Sequence, residues 1–134
     1  LGQEDMTVAE AREVLGPDRW IGVSTHSMSE VEQALRDGAD MIGIGAIFET
    51  RTKRVQHQVG MGLLANVLSQ NLAIPCFPIG GITEHNAAVI AAAGCPRIAV
   101  SAAILTAEDP AAVIAGIKWR MRRAAPETHP GQAP

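Results

Sequence analysis

The stretch "DMIGIGAIFETRTKR", residues 40–54, joins two unlike compositions without a break. After Asp40, residues 41–48 form an apolar and glycine run with little polar alternation, the pattern of a strand covered on both faces. From Glu49 onward come a carboxylate, the hydroxyls of Thr50 and Thr52, and the cations Arg51, Lys53 and Arg54. A buried strand that opens directly into such a loop leaves two readings. Either the loop is merely solvated, or it holds an anion.

Further apolar runs of the same kind lie on both sides: "RWIGVS" (19–24), "IPCFPIG" (74–80) and "RIAVSAAI" (97–104). Segments of helical period separate them. "TVAEAREVLG" carries Thr7 and Glu10 at capping-box spacing, and "SEVEQALRDG" has Ser29 and Glu32 at the same spacing before a stop at Gly38. "GLLANVLSQN" follows the basic loop, and "TEHNAAVIAAAG" runs from Thr83 to Gly94. "DPAAVIAGIKWRMRR" offers Asp109 as N-cap and Pro110 at the first helical position. Arg120, Arg122 and Arg123 then read as cations favoured at a helix C-terminus. Strand and helix in alternation predict an α/β fold with a parallel sheet, the first helix lacking a preceding strand. Residues 1–123 read as one domain, and 124–134 as a disordered Pro-rich tail.

Composition narrows the function classes. The 134 residues are 47% hydrophobic with a net charge of -3, which suits one soluble globular domain. No basic surplus exists to neutralise a nucleic-acid backbone. Aromatic residues are limited to Trp20, Phe48, Phe77 and Trp119, too few for a single-strand stacking platform. No apolar run reaches the ~18 residues of a membrane span and no secretion signal opens the chain. Cys76 and Cys95, far apart in sequence, read as core fillers rather than a bridge or a metal site, in keeping with a cytoplasmic setting. His57, His85 and His129 have no companions at metal-ligand spacing and read as surface residues.

Glycine inside a strand is costly unless something must come close, and Gly22, Gly43 and Gly45 sit in strand candidates. "IGGIT" (79–83) places Gly80-Gly81 between a strand and a helix, either a tight turn or a backbone cradle for phosphate. In a parallel sheet the loops after successive strands share one end. "STHS", "ETRTKR", "GGIT" and the end of the fourth strand would therefore converge, and the basic loop reads as serving a phosphate ester. Asp5 in "LGQED" would fall at the end of a strand, suited to Mg²⁺ held partly by substrate oxygens, or simply near an N-cap.

Taken in order, "LGQED", "IGVSTHS", "IGIGAIFETRTK", "PIGGIT" and "IAVSAAI" resemble the C-terminal part of thiamine-phosphate synthases, over residues 1 to about 118. The resemblance implies the C-terminal portion of a (β/α)₈ TIM barrel, truncated at its N-terminus. It implies a transferase of thiamine biosynthesis that joins a pyrimidine methyl diphosphate to a thiazole phosphate, giving thiamine phosphate and pyrophosphate with Mg²⁺. By motif, Asp5 is a Mg²⁺ ligand. Ser24 and Lys53 act on the pyrimidine diphosphate, and Thr50, Arg51 and Thr52 meet the thiazole phosphate. Gly80, Gly81, Ser101 and Ala102 form the backbone cradle. Two features depart from the family pattern. Glu49 stands where proline is usual, and Ser101-Ala102 replace a Val-Ser pair. "FET" and His26 bring the chain nearer to the thiazole tautomerase paralogues, in which His26 would be an acid/base. A tautomerase-like isomerase and a non-catalytic phosphate-binding half-barrel are the alternative functions. The partners implied are small phosphate and diphosphate substrates, with no nucleic acid or membrane. Exposed sheet edges would favour self-association into a homo-oligomer. The isolated chain is expected to be inactive, because the segments that complete the family's site are not in it.

Overall fold

The computed structural model describes residues 1–49 and 59–126. Three strands, β1 (Gly22–Thr25), β2 (Met41–Ile44) and β3 (Cys76–Pro78), form a parallel sheet in that order. The register sets Val23 against Ile42 and Gly43 against Phe77. Two further lanes extend the sheet. On the β1 side, the Leu1 amine donates to the Gly22 carbonyl at 2.6 Å, and the Ser24 amide donates to the Leu1 carbonyl at 2.8 Å. On the β3 side, Ala99 bridges Ile79 in parallel.

The helices are α1 (Val8–Leu15), α2 (Met28–Arg36), α3 (Gly60–Ser69), α4 (Ala87–Ala92), α5 (Ala102–Leu105) and α6 (Pro110–Ala124). α1 starts where the sequence places it, with a complete Thr7–Glu10 capping box. Such a cap stabilises a helix by about 1 kcal/mol. α6 likewise starts at Asp109, which accepts from the Ala112 amide, with Pro110 following. In α2 the cap is Ser27, which accepts from the Glu30 amide, and not Ser29. The serine nearer β1 wins because the chain leaves the strand only at Thr25. The Gly38 and Ala39 amides close this helix by donating to the Leu35 and Ala34 carbonyls, a Schellman stop.

Other expectations need correcting. The strands alternate in burial instead of being covered on both faces. Val23, Thr25, Ile42 and Ile44 are buried in one core with Val31, Ala34, Leu64, Val67, Ala87, Ile90 and Ile117 from the helices. Gly22, Ser24, Met41 and Gly43 point to the other, more open face. The run 97–104 is not one strand: it pairs only at Ala99 and turns into α5 at Ala102. The helix expected from Thr83 begins instead at Ala87, since Asn86 folds its side chain back on the preceding turn. α6 continues through Ala124, the first residue assigned to the tail, and 127–134 lie outside the described residues. Arg122 and Arg123 do sit in its last turn, but Arg120 pairs with Glu84 at 3.1 Å. No helix among the described residues is long and apolar enough to cross a membrane.

One ion pair ties α1 to the sheet. The Arg12 guanidinium meets Asp40 at 2.6 Å and also donates to the Arg19 carbonyl, while Asp40 accepts from the Ile21 amide at 2.6 Å. The hydrogen bond from Arg12, then that from Ile21, holds the Asp40 carboxyl below the usual carboxylate range. A depressed folded pKa means the contribution is complete above the unfolded value of about 3.9 and is lost as pH falls through the folded one. Asp40→Asn is therefore expected to lower the thermal midpoint at neutral pH, with the gap to wild type closing in acid below about pH 4. Unfolding curves across pH check this; a gap that ignores pH contradicts it.

Candidate functional site

Two backbones meet at the C-terminal end of the sheet. Beyond β2, residues 45–49 run alongside 79–81. The Ile79 amide donates to the Ile44 carbonyl at 2.8 Å, and Ile47 and Phe48 donate to the Ile79 and Gly80 carbonyls at 2.9 and 3.1 Å. This contact leaves no room for side chains. A Cβ on Gly45 would lie 2.7 Å from the Ile79 side chain, and one on Gly80 would lie 2.6 Å from that of Ala46. At Gly81 it would run into the Glu49 carbonyl, and Gly80 and Gly81 have φ of 96° and 62°. The tight-turn reading of Gly80-Gly81 is thus met in full by the chain itself.

The turn is locked from its far side. Asn86 accepts from the Thr83 amide at 2.7 Å and donates to the Gly81 carbonyl at 2.9 Å. The Thr83 N–H is therefore taken. The Gly81 and Ile82 amides donate to no described residue. Asn86 was missed from sequence; an asparagine three residues after a Gly-Gly-x-Thr turn was its only signal.

Ser24 is exposed at the end of β1, and its carbonyl accepts from the Gln3 side chain at 2.6 Å. The 1–5 segment is thereby held beside β1. Asp5 is exposed there and accepts from the Gly2 amide at 2.6 Å. The structure therefore brings Asp5 and Ser24 to the same corner of the sheet. Among the described residues no three His, Cys, Asp or Glu side chains are grouped to hold a metal. A lone exposed carboxylate such as that of Asp5 has the oxygen chemistry Mg²⁺ takes, which is commonly completed by waters and substrate oxygens.

His26 follows β1 and is also exposed. Its amide and its Nδ1 both meet Glu30 Oε2, at 2.8 and 3.0 Å. Glu30, on the first turn of α2, holds the ring through Nδ1, and Nε2 is the nitrogen this contact does not engage. The sequence reading passed over Glu30, although its i+4 spacing from His26 was the available signal. Thr25, likewise overlooked, is buried, and its hydroxyl donates to the Gly43 carbonyl at 2.9 Å. Ser101 and Ala102 are exposed where the lane through Ala99 ends and α5 begins. His85 is exposed as expected. Thr50, Arg51, Thr52, Lys53, Arg54 and His57 lie outside the described residues, as does His129.

A parallel sheet with helices between its strands defines an α/β class whose ligands commonly meet the loops at the C-terminal ends of the strands. The chain belongs to the thiamine monophosphate synthase family, whose model matches residues 1–104. It is 46% identical over 126 residues to the thiamine biosynthesis bifunctional protein ThiED of Geobacter sulfurreducens, covering 94% of this chain and 26% of that protein. It is also 46% identical over 111 residues to the thiamine-phosphate synthase of Chloroflexus aurantiacus, covering 81% of this chain and 50% of that one. The solved thiamine phosphate pyrophosphorylase of Pyrococcus furiosus superposes with a TM-score of 0.80 at 31% identity, over 92% of this chain and 58% of that one. The chain thus spans half or less of the length of these two sequence relatives.

Gly81→Ala would force a Cβ into the Glu49 carbonyl at a positive φ. A residue held in such a region costs about 1–3 kcal/mol before any clash is added. The variant is expected to lose at least that much in denaturant unfolding. Wild-type stability would show that residues 45–49 and 79–81 do not touch.

Proposed function

We propose that this chain is the C-terminal portion of a (β/α)₈ barrel of the thiamine-phosphate synthase type. Joined to the remaining units, it condenses the pyrimidine methyl diphosphate with thiazole phosphate, releasing pyrophosphate. The observation that carries the reading is the parallel sheet, in which Ser24, the Gly80-Gly81 turn and Ser101-Ala102 all lie toward the C-terminal ends of their lanes. The lanes outside β1 and β3 support a larger sheet, and so does the share of the relatives' length that the chain covers.

In this reading Lys53 neutralises charge on the departing diphosphate and Ser24 donates a hydroxyl hydrogen bond to it. Thr50, Arg51 and Thr52 bind the thiazole phosphate, as do the Gly81, Ile82 and Ala102 amides. Such groups favour departure of an anion without any general base. Asp5 supplies one ligand to Mg²⁺, which when bound offsets diphosphate charge. The setting is cytoplasmic, the partners are small phosphate esters, and any self-association is between copies of the chain.

A second reading, isomerisation of a thiazole phosphate, is favoured by the Glu30–His26 pair. It leaves one imidazole nitrogen free to move a proton. The two are separated by fusing this chain behind the N-terminal half of the Chloroflexus aurantiacus synthase and supplying both substrates with Mg²⁺. Thiamine phosphate is expected from the fusion and not from the chain alone, with loss of about 100-fold or more on Lys53→Ala. A folded but inactive fusion, beside an active parent enzyme, rejects the synthase reading. Proton exchange into thiazole phosphate, abolished by His26→Ala, would establish the second.

A further inference from the structure

Cys76 and Cys95 are 19 residues apart in sequence, yet their sulfur atoms lie 3.9 Å from each other. Both are free thiols. The expectation that each merely fills core space on its own is therefore incomplete. Cys76 opens β3, and Cys95 follows α4 and leads into the lane that bridges Ile79 through Ala99. The Ala99 amide donates to the Pro78 carbonyl at 2.9 Å, so the two lanes are hydrogen-bonded neighbours. Counting back three residues from the Ile79–Ala99 bridge sets Cys76 beside Pro96, next to Cys95. Parallel lanes lie about 4.8 Å apart, and a disulfide accepts Cα separations of about 4.4–6.8 Å. Backbone placement and sulfur contact therefore agree.

We propose that Cys76 and Cys95 form a dithiol site that low-molecular-weight disulfides oxidise to an intrachain bridge. Cys95 is only 1% exposed, whereas Cys76 is partly open to solvent, so Cys76 is the point of entry. The Cys76 sulfur, as thiolate, attacks one sulfur of the reagent, forming a mixed disulfide and releasing one thiol. The Cys95 sulfur gives up its proton and attacks Cys76 Sγ, forming the bridge and releasing the second thiol. Two protein thiols are oxidised and one reagent disulfide is reduced to two thiols. While the contact with Cys76 lowers the Cys95 pKa, the contact with Cys95 and burial push that of Cys76 above the usual cysteine range, so that only a small part of Cys76 is thiolate. Its first step is therefore slower than that of an exposed cysteine. The bridge would staple β3 to the neighbouring lane just below the Gly80-Gly81 turn and Ser101.

The test is incubation of the folded chain with oxidised glutathione, acid quenching, and thiol titration after denaturation. Wild type is expected to go from two thiols to none, with one linked peptide carrying both cysteines and no bound glutathione. Cys95→Ala is expected to stop at a glutathione adduct on Cys76, and Cys76→Ala to keep its buried thiol. Two surviving thiols in wild type, a stable glutathione adduct, or a disulfide-linked dimer would each overturn the proposal. This readout involves no phosphate ligand, so it stands or falls apart from the synthase reading.

Discussion

The arrangement depends on one close approach, that of residues 45–49 to residues 79–81. Two strand continuations lie so near that a methyl group on Gly45, Gly80 or Gly81 would collide with its neighbour. Glycine has the least to lose sterically at such a crossing, and at Gly80 and Gly81 it also accepts a positive φ. The consequence is functional. The chain beyond β2 and the turn beyond β3 are locked to each other by backbone hydrogen bonds, so that whatever the two loops present is presented together.

The rest of the fold supports that end of the sheet. The helices bury one face of β1 and β2 through Val23, Ile42 and Ile44, leaving the small residues Gly22, Ser24 and Gly43 on the other. Thr25 ties β1 to β2 from within, Gln3 ties the first residues to Ser24, and Asn86 braces the Gly80-Gly81 turn. Each of these bonds joins a polar side chain to a backbone carbonyl, the kind of contact that positions loops without filling the face they surround. Rigid loops around a small-residue face suit a ligand whose charge must be met by fixed dipoles.

Much of the fold was legible because its signals are local. The Thr7–Glu10 box and the Asp109-Pro110 pair name two helix starts correctly, since a cap needs only three or four consecutive residues. Strand and helix alternation gave the parallel order for the same reason. Contacts between distant residues were not legible. Nothing near Arg12 announces Asp40, and nothing near Cys76 announces Cys95. The start of α4 was misplaced because Asn86 competes for the turn that Thr83 appeared to open. In the site, glycine spacing marked the right turn, but sequence alone did not show that the chain itself fills the space the glycines leave. His26 was legible, and the Glu30 that orients it was not.

The loops at this end of the sheet are proposed to bind a phosphate ester jointly. Amide chemical shifts of the isotopically labelled chain, followed while a thiazole phosphate is added, test it most directly. Saturable shifts at Gly81, Ile82 and Ala102 with one common midpoint are the predicted result. Shifts confined to the Arg120–Arg123 end of α6, or no saturation anywhere, would contradict it.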